Sequence, residues 1–188
     1  MSIETEKKYR LTKDRQASIV ESLNEFGAEY EGEDFEVNTI YGSEFLTQNG
    51  GVLRIRKTHD RSLITFKRPV EGVSGAKHQL EYETEVSDAG SMAEIIRELG
   101  LTPRIVYEKR RRTWKFRKTE VVLDELPFGL FMEIEGSLTA IREVEMLLDI
   151  EDLEVESLTY PRLTAQLGTD RRGIIEARFD TGSTAADN

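Results

Sequence analysis

Glu4-Thr5-Glu6-Lys7-Lys8 is the stretch from which the rest of the chain is read. It sits inside a strand signal over residues 3–11, and side chains alternate faces along a strand. Glu4, Glu6 and Lys8 therefore share one face. An ionic face on an antiparallel strand ordinarily looks into solvent, because the apolar face is the one that packs. What matters is whether the pattern is confined to this strand.

It recurs along the chain. Strand signals lie over 39–45, 52–58, 62–68, 77–86, 105–118, 120–125 and 130–135. Arg54 and Arg56 share one parity and Leu53 and Ile55 the other. Lys67 alternates with Ile64 and Phe66. Glu81, Glu83 and Glu85 alternate with Tyr82 and Val86. Lys109 and Arg111 share a face, and Trp114 falls on the opposite one. Asp124 alternates with Val121 and Leu123, and Glu133 and Glu135 alternate with Met132 and Ile134.

Between the strands run amphipathic helices. Thr12 is placed to cap one carrying Ile19, Val20, Leu23 and Phe26, stopped at Gly27. Ser87 or Asp88 caps a second, through Ile95, Ile96 and Leu99 to Gly100. A third follows Ser137 and carries Ile141, Val144, Leu147 and Leu148. A short helix is expected after Tyr160-Pro161, since proline suits a first helical turn. Residues 32–38 read as an acidic loop, 49–51 as a turn and 69–76 as a longer loop. The apolar helix stripes need a surface to cover, and the apolar strand faces supply it. The ionic faces then point inward. A closed, predominantly antiparallel barrel with a polar lumen meets both demands and leaves no open sheet edge. The expected class is α+β, in one domain over 1–180, with a small polar tail at 181–188 expected to be disordered.

Composition narrows the function. The chain has 188 residues, 38% hydrophobic and 33% charged, with 36 acids against 26 bases and a net charge of -10. That balance argues against a nucleic-acid polymer as partner, which needs a basic face. There is no cysteine, which excludes disulfides, thiolate metal sites and cysteine nucleophiles. His59 and His78 have no metal-ligand spacing. No apolar run reaches the length of a membrane span, so no membrane partner is expected. The charged opening does not fit a secretory leader, and a cytoplasmic location is expected. A homodimer is compatible with everything read so far.

A lumen lined by both signs of charge has a chemical meaning. The carboxylates suit a hard divalent cation, Mg²⁺ or Mn²⁺, which takes oxygen ligands and often shares them with substrate phosphates. The guanidinium and ammonium groups suit a polyanion. Neither set is comfortable unpaired once desolvated. A polyphosphate carrying its cations compensates both.

The chain resembles the CYTH superfamily, the triphosphate tunnel metalloenzymes, which include class IV adenylate cyclases, thiamine triphosphatases and inorganic triphosphatases. The resemblance rests on seven blocks in the family's order: the ExExK strand Glu4 to Lys8, Leu53-Arg54-Ile55-Arg56, Thr65-Phe66-Lys67, Glu81-Tyr82-Glu83, Glu108-Lys109-Arg110-Arg111, Asp124, and Glu133-Ile134-Glu135. It implies a closed antiparallel eight-stranded β-barrel, a triphosphate tunnel with a charged lumen and helices packed outside. By position, Lys8, Arg54, Arg56, Lys67, Lys109 and Arg111 would hold the triphosphate. Glu4, Glu6, Asp124, Glu133 and Glu135 would be metal ligands or near-ligands, with Glu81 and Glu83 lining the same acidic side. Lys8 is the expected catalytic residue. Tyr41 joins it because it matches a tyrosine that opens the second strand in several members and can sit near that lysine. Two departures stand out: Gln79 where the family often has arginine, and only Arg162 where some triphosphatases carry a lysine. The implied activity is Mg²⁺- or Mn²⁺-dependent hydrolysis of inorganic triphosphate, thiamine triphosphate or a nucleoside triphosphate. The alternatives are a class IV-type adenylate cyclase, making cyclic AMP and pyrophosphate from ATP, and a non-catalytic polyphosphate-binding module.

Overall fold

The computed structural model describes residues 2–69 and 77–180; of residues 2–4 and 77–79 only the backbone is described. The loop expected up to residue 76 and the tail expected at 181–188 lie outside the described residues, apart from Pro69.

The elements run β1 (Ser2–Leu11), α1 (Lys13–Glu25), β2 (Glu29–Gly42), α2 (Glu44–Gln48), β3 (Val52–Lys57), β4 (Ser62–Pro69), β5 (Lys77–Glu85), α3 (Ala89–Glu98), β6 (Thr102–Phe116), β7 (Thr119–Leu126), β8 (Gly129–Gly136), α4 (Leu138–Leu147), α5 (Tyr160–Leu167), β9 (Thr169–Arg171) and β10 (Ile174–Ala177). Eight strands pair in the order β2-β3-β4-β5-β1-β8-β7-β6, and β6 pairs back onto β2. Every pairing in that ring is antiparallel, so the sheet closes on itself as expected.

Helix ends follow the capping residues in the sequence. The Thr12 hydroxyl accepts from the Arg15 N–H, Asp88 accepts from Gly90 and Ser91, and Ser137 accepts from Ala140. Gly27 and Gly100 take φ of 71° and 82° just past α1 and α3, a left-handed turn that side-chain-bearing residues resist.

Helices α1, α3 and α4 lie against the outer strand faces. Ile19 and Leu23 of α1 and Ile141 and Val144 of α4 share one cluster with Tyr9, Trp114, Val121, Leu123, Met132 and Ile134. Trp114 thus packs against helices, opposite the lumen bases, and its ring also meets Tyr30 at a tilt, with centroids 5.0 Å apart. Ala89 and Ile96 of α3 cover Tyr41 and Ile55. Burying one such aliphatic side chain contributes about 1.5–3 kcal/mol, so these clusters fix which strand face points in.

Three expectations need correction. Residues 32–38 are strand, not loop: β2 begins at Glu29 and pairs with β6 along almost its whole length. The strand expected over 39–45 ends at Gly42, because Ser43 caps the short helix α2 through the Leu46 N–H. Residues 169–177 form the β9–β10 hairpin, which sequence reading left without structure. Its β10 joins β6 in parallel at Ile105 to Tyr107, beyond the point where β7 leaves that edge.

Candidate active site

The inward parity of the ring brings together all six bases singled out in the sequence. Lys8 is buried at 3% exposure, and its ammonium lies 3.3 Å from Glu133 Oε1 and donates to the Leu158 carbonyl at 3.1 Å. Arg111 forks onto Asp124 at 2.7 and 2.6 Å and reaches Glu133 at 2.7 Å. Lys109, 2% exposed, is 3.2 Å from Glu36 and 3.5 Å from Asp124. Arg56 lies 3.6 Å from Glu36 and 3.0 Å from Glu83. Arg54 lies 3.6 Å from Glu83 and donates to Thr65 Oγ1 at 3.3 Å. Lys67 pairs with Glu81. One network of alternating sign runs from β1 through β8, β6, β7 and β2 to β3 and β5.

The electrostatics follow from this crowding. Burial pushes the Glu133 carboxyl up, but Lys8 and Arg111 outweigh it and hold it down to about 2. Burial likewise opposes ionisation of Glu36. Lys109, Arg111 and Arg56 prevail and keep its carboxyl well below the ordinary range. Lys109 moves downward, first from burial and then from the Arg111 guanidinium beside it. A lysine so placed loses less on meeting an incoming anion, which would relieve both penalties.

The proposed metal side is only partly assembled. Glu6 and Glu135 stand directly opposite one another in the β1–β8 pairing, both half-buried. Asp124 and Glu133 are engaged by Arg111. Glu81 and Glu83 lie on β5, which pairs with β1 on the edge away from β8, and are engaged by Lys67 and Arg56. The side chain of Glu4 lies outside the described residues. Among the described residues no three carboxylates or histidines converge as a ready-made metal site. The donors are oxygen only, which fits Mg²⁺ or Mn²⁺. Mg²⁺ needs just one or two protein carboxylates when substrate phosphates supply other ligands.

Tyr41 is not brought to Lys8. It packs outward against Ala89 and Ile96 of α3. A shift of one residue changes strand face, and the neighbour on the inward face is Ile40, which joins a lumen-end cluster instead. That cluster contains Ile40, Tyr107, Leu126 and Phe131 from the barrel and Tyr160 and Leu163 from α5. It fills the end of the lumen away from Glu6 and Glu135.

Two site residues escaped sequence reading. Glu36 is 2% exposed and accepts from Asn38 while pairing with Lys109 and Arg56. Its signal was parity: Glu36 and Asn38 alternate with Val37, but the stretch reads as acidic loop. Tyr160 donates from its hydroxyl to Asp124 Oδ2 at 2.7 Å, and its ring faces the Lys8 ammonium at 3.7 Å. No strand alternation flags it, since it opens a helix.

A surface cavity of about 220 Å³, lined by Gln16, Glu33, Arg110, Arg112, Leu123 and Glu125, lies on the outward faces of β6 and β7. Arg110 there is paired with Glu125 at 3.1 Å, both half-exposed. The lumen is the stronger candidate, because its charges are desolvated and convergent. No helix among the described residues is long and apolar enough to cross a membrane.

A family model, the CYTH domain, matches residues 2–162. No curated protein matches the chain. Among solved structures, a protein from Pyrococcus horikoshii OT3 is similar at 24% identity and a TM-score of 0.74, covering 85% of this chain and 98% of that one. A Vibrio parahaemolyticus protein named as a candidate adenylate cyclase is similar at 21% identity and a TM-score of 0.71, covering 87% and 98%. A Hippeastrum protein named as a candidate adenylyl cyclase, with a dominant triphosphatase activity, is similar at 18% identity and a TM-score of 0.66, covering 88% and 96%. At these identities the likeness is one of fold.

Proposed function

The chain belongs to the CYTH domain family, and on that premise we propose that it is a metal-dependent hydrolase of a triphosphate held in the barrel lumen. The observation that carries the reading is the convergence of Lys8, Arg54, Arg56, Lys67, Lys109 and Arg111 on one buried interior, each matched by a carboxylate that a polyphosphate can replace.

Phosphoryl transfer asks a protein chiefly for positioning and charge neutralisation. Arg54, Arg56 and Arg111 would fork onto non-bridging oxygens, exchanging carboxylate partners for phosphate ones. Lys67 and Lys109 would act as point charges along the same chain of phosphates. Lys8, the most enclosed cation on β1, would neutralise the terminal group or move a proton at it. Glu6 and Glu135, with Glu4 on the same strand face, would hold Mg²⁺ or Mn²⁺. The family is generally metal-dependent, and the bound ion would neutralise phosphate oxygens and acidify water.

The Hippeastrum relative, whose triphosphatase activity is dominant, favours hydrolysis. The Vibrio relative keeps cyclisation of ATP as the second reading. One experiment separates them. Purified protein with Mg²⁺ or Mn²⁺ is given tripolyphosphate, thiamine triphosphate and ATP, and products are resolved by chromatography. Phosphate release is expected. Cyclic AMP with pyrophosphate would select the cyclase, and no turnover of any substrate across a pH series would sink both.

A further inference from the structure

Lys8 is held from three directions by the segment that leads into α5. The Glu156 N–H donates to the Lys8 carbonyl at 2.7 Å, and the Leu158 carbonyl accepts from its ammonium. The Tyr160 ring faces that ammonium at 3.7 Å and lies 5.4 Å from the ammonium of Lys109. A desolvated cation over an aromatic face is attracted by the ring quadrupole. The same side chain donates through its hydroxyl to Asp124, on β7, two strands along the ring from β1. Tyr160 is itself 6% exposed and seated by edge-to-face packing on Phe131, with Tyr107 beside it. Thr159 and Pro161 start the helix around it and settle its backbone.

We infer that Tyr160 is a positioning residue of the lumen: its ring places the Lys8 ammonium while its hydroxyl places the Asp124 carboxylate. The C-terminal helix therefore completes the site instead of merely covering the barrel. Burial, and then the charges of Asp124 and Glu133, keep the phenol protonated and therefore a donor throughout the working pH range. The kinetic consequence rests on the proposed triphosphate reaction; the geometric one does not.

Three variants test it. Tyr160→Phe keeps the ring and removes the hydroxyl. Tyr160→Leu removes both. Val144→Ala opens a cavity in the outer cluster under α4 without touching α5, Lys8 or Asp124. In steady-state assays on tripolyphosphate, Tyr160→Phe should lower kcat ~10-fold or more, the cost of a lost bond to a charged group, and leave KM within ~3-fold because the other bases still bind. Tyr160→Leu should lower kcat a further ~10-fold or more as the ring contact goes. Val144→Ala should lower stability while kcat and KM of the folded protein hold. Wild-type kinetics in Tyr160→Phe, or the Tyr160→Leu defect reproduced by Val144→Ala, would overturn the inference. If the wild type turns over no triphosphate, the functional reading fails instead. The ¹H–¹³C signal of the Lys8 ε-methylene, assigned by its loss in Lys8→Met, then decides. An upfield ring-current shift in wild type and Tyr160→Phe, absent in Tyr160→Leu, supports the inference; one unchanged position in all three overturns it.

Discussion

Replacing Glu36 by glutamine should move stability and ligand affinity in opposite directions. Glu36 sits 3.2 Å from the Lys109 ammonium and 3.6 Å from Arg56, all but sealed from water. Removing one partner of a buried ion pair costs about 3–5 kcal/mol, because the other charge is stranded. Here the lower end applies. Lys109 keeps Asp124 at 3.5 Å and Arg56 keeps Glu83 at 3.0 Å. A loss of about 3 kcal/mol corresponds to roughly 6–12 °C in Tm for a domain of this size. Binding runs the other way. A phosphate oxygen meeting Lys109 at about 2.8 Å would lie on the order of 6 Å from the Glu36 carboxylate. At an effective dielectric of about 20, two unit charges at that distance repel by roughly 3 kcal/mol. Glutamine abolishes the repulsion and leaves Lys109 without its main competitor for phosphate. Tripolyphosphate should therefore bind Glu36→Gln up to ~100-fold more tightly than wild type. Thermal melts with and without tripolyphosphate, alongside titration calorimetry, measure both quantities on one sample. The expected pattern is a lower melting point without ligand and a larger ligand-induced rise. Weaker binding in Glu36→Gln would show that Glu36 supports the ligand, and the picture of a carboxylate displaced by phosphate would fail.

Acid should dismantle the lumen before it dismantles the outer clusters. The Glu133 carboxyl is held from its ordinary 4.5 down to about 2, so its contribution is complete above pH 4.5 and is lost as pH falls through about 2. Glu36 is depressed in the same direction. Urea midpoints should be flat near neutral pH and fall below about pH 4.5, and Glu133→Gln should remove about one proton's worth of slope, ~1.4 kcal/mol per pH unit. An identical slope in the variant would refute the assignment. On the outer face, Glu145 accepts from the Tyr9 hydroxyl and from Lys7 at 2.7 Å, tying α4 to β1. Glu145→Gln should cost about 1–3 kcal/mol in denaturation experiments and leave KM and kcat unchanged. A kinetic defect there would mean that the two faces of β1 are coupled.

The legible parts of this molecule are those whose signal is local. Strand parity marked all six lumen bases, because a two-residue period needs only a few neighbours to be seen. Apolar stripes and capping residues marked α1, α3 and α4 for the same reason. The first half of β2 was illegible because its stability is not local. Residues 29–36 carry five acids and a glycine, poor strand material by propensity. What makes them a strand is the basic run opposite: Glu33 pairs with Arg112, Asp34 with Arg111 and Glu36 with Lys109 in the β2–β6 register. Cross-strand charge pairs of this kind contribute roughly 0.2–1 kcal/mol each, and their partners lie more than seventy residues away in the chain. The bulge at Tyr30 and Gly32 then resets parity within the strand, so alternation read straight through from Glu29 would misplace its faces. Tyr160 was hidden for a related reason: its partners Lys8 and Asp124 come from two different strands. The same acidic surplus that argued against a nucleic-acid partner is what lets β2 close the barrel. In the lumen, Glu36, Asp124 and Glu133 compensate a crowded set of buried cations, and under the proposed function a more highly charged anion would take their place.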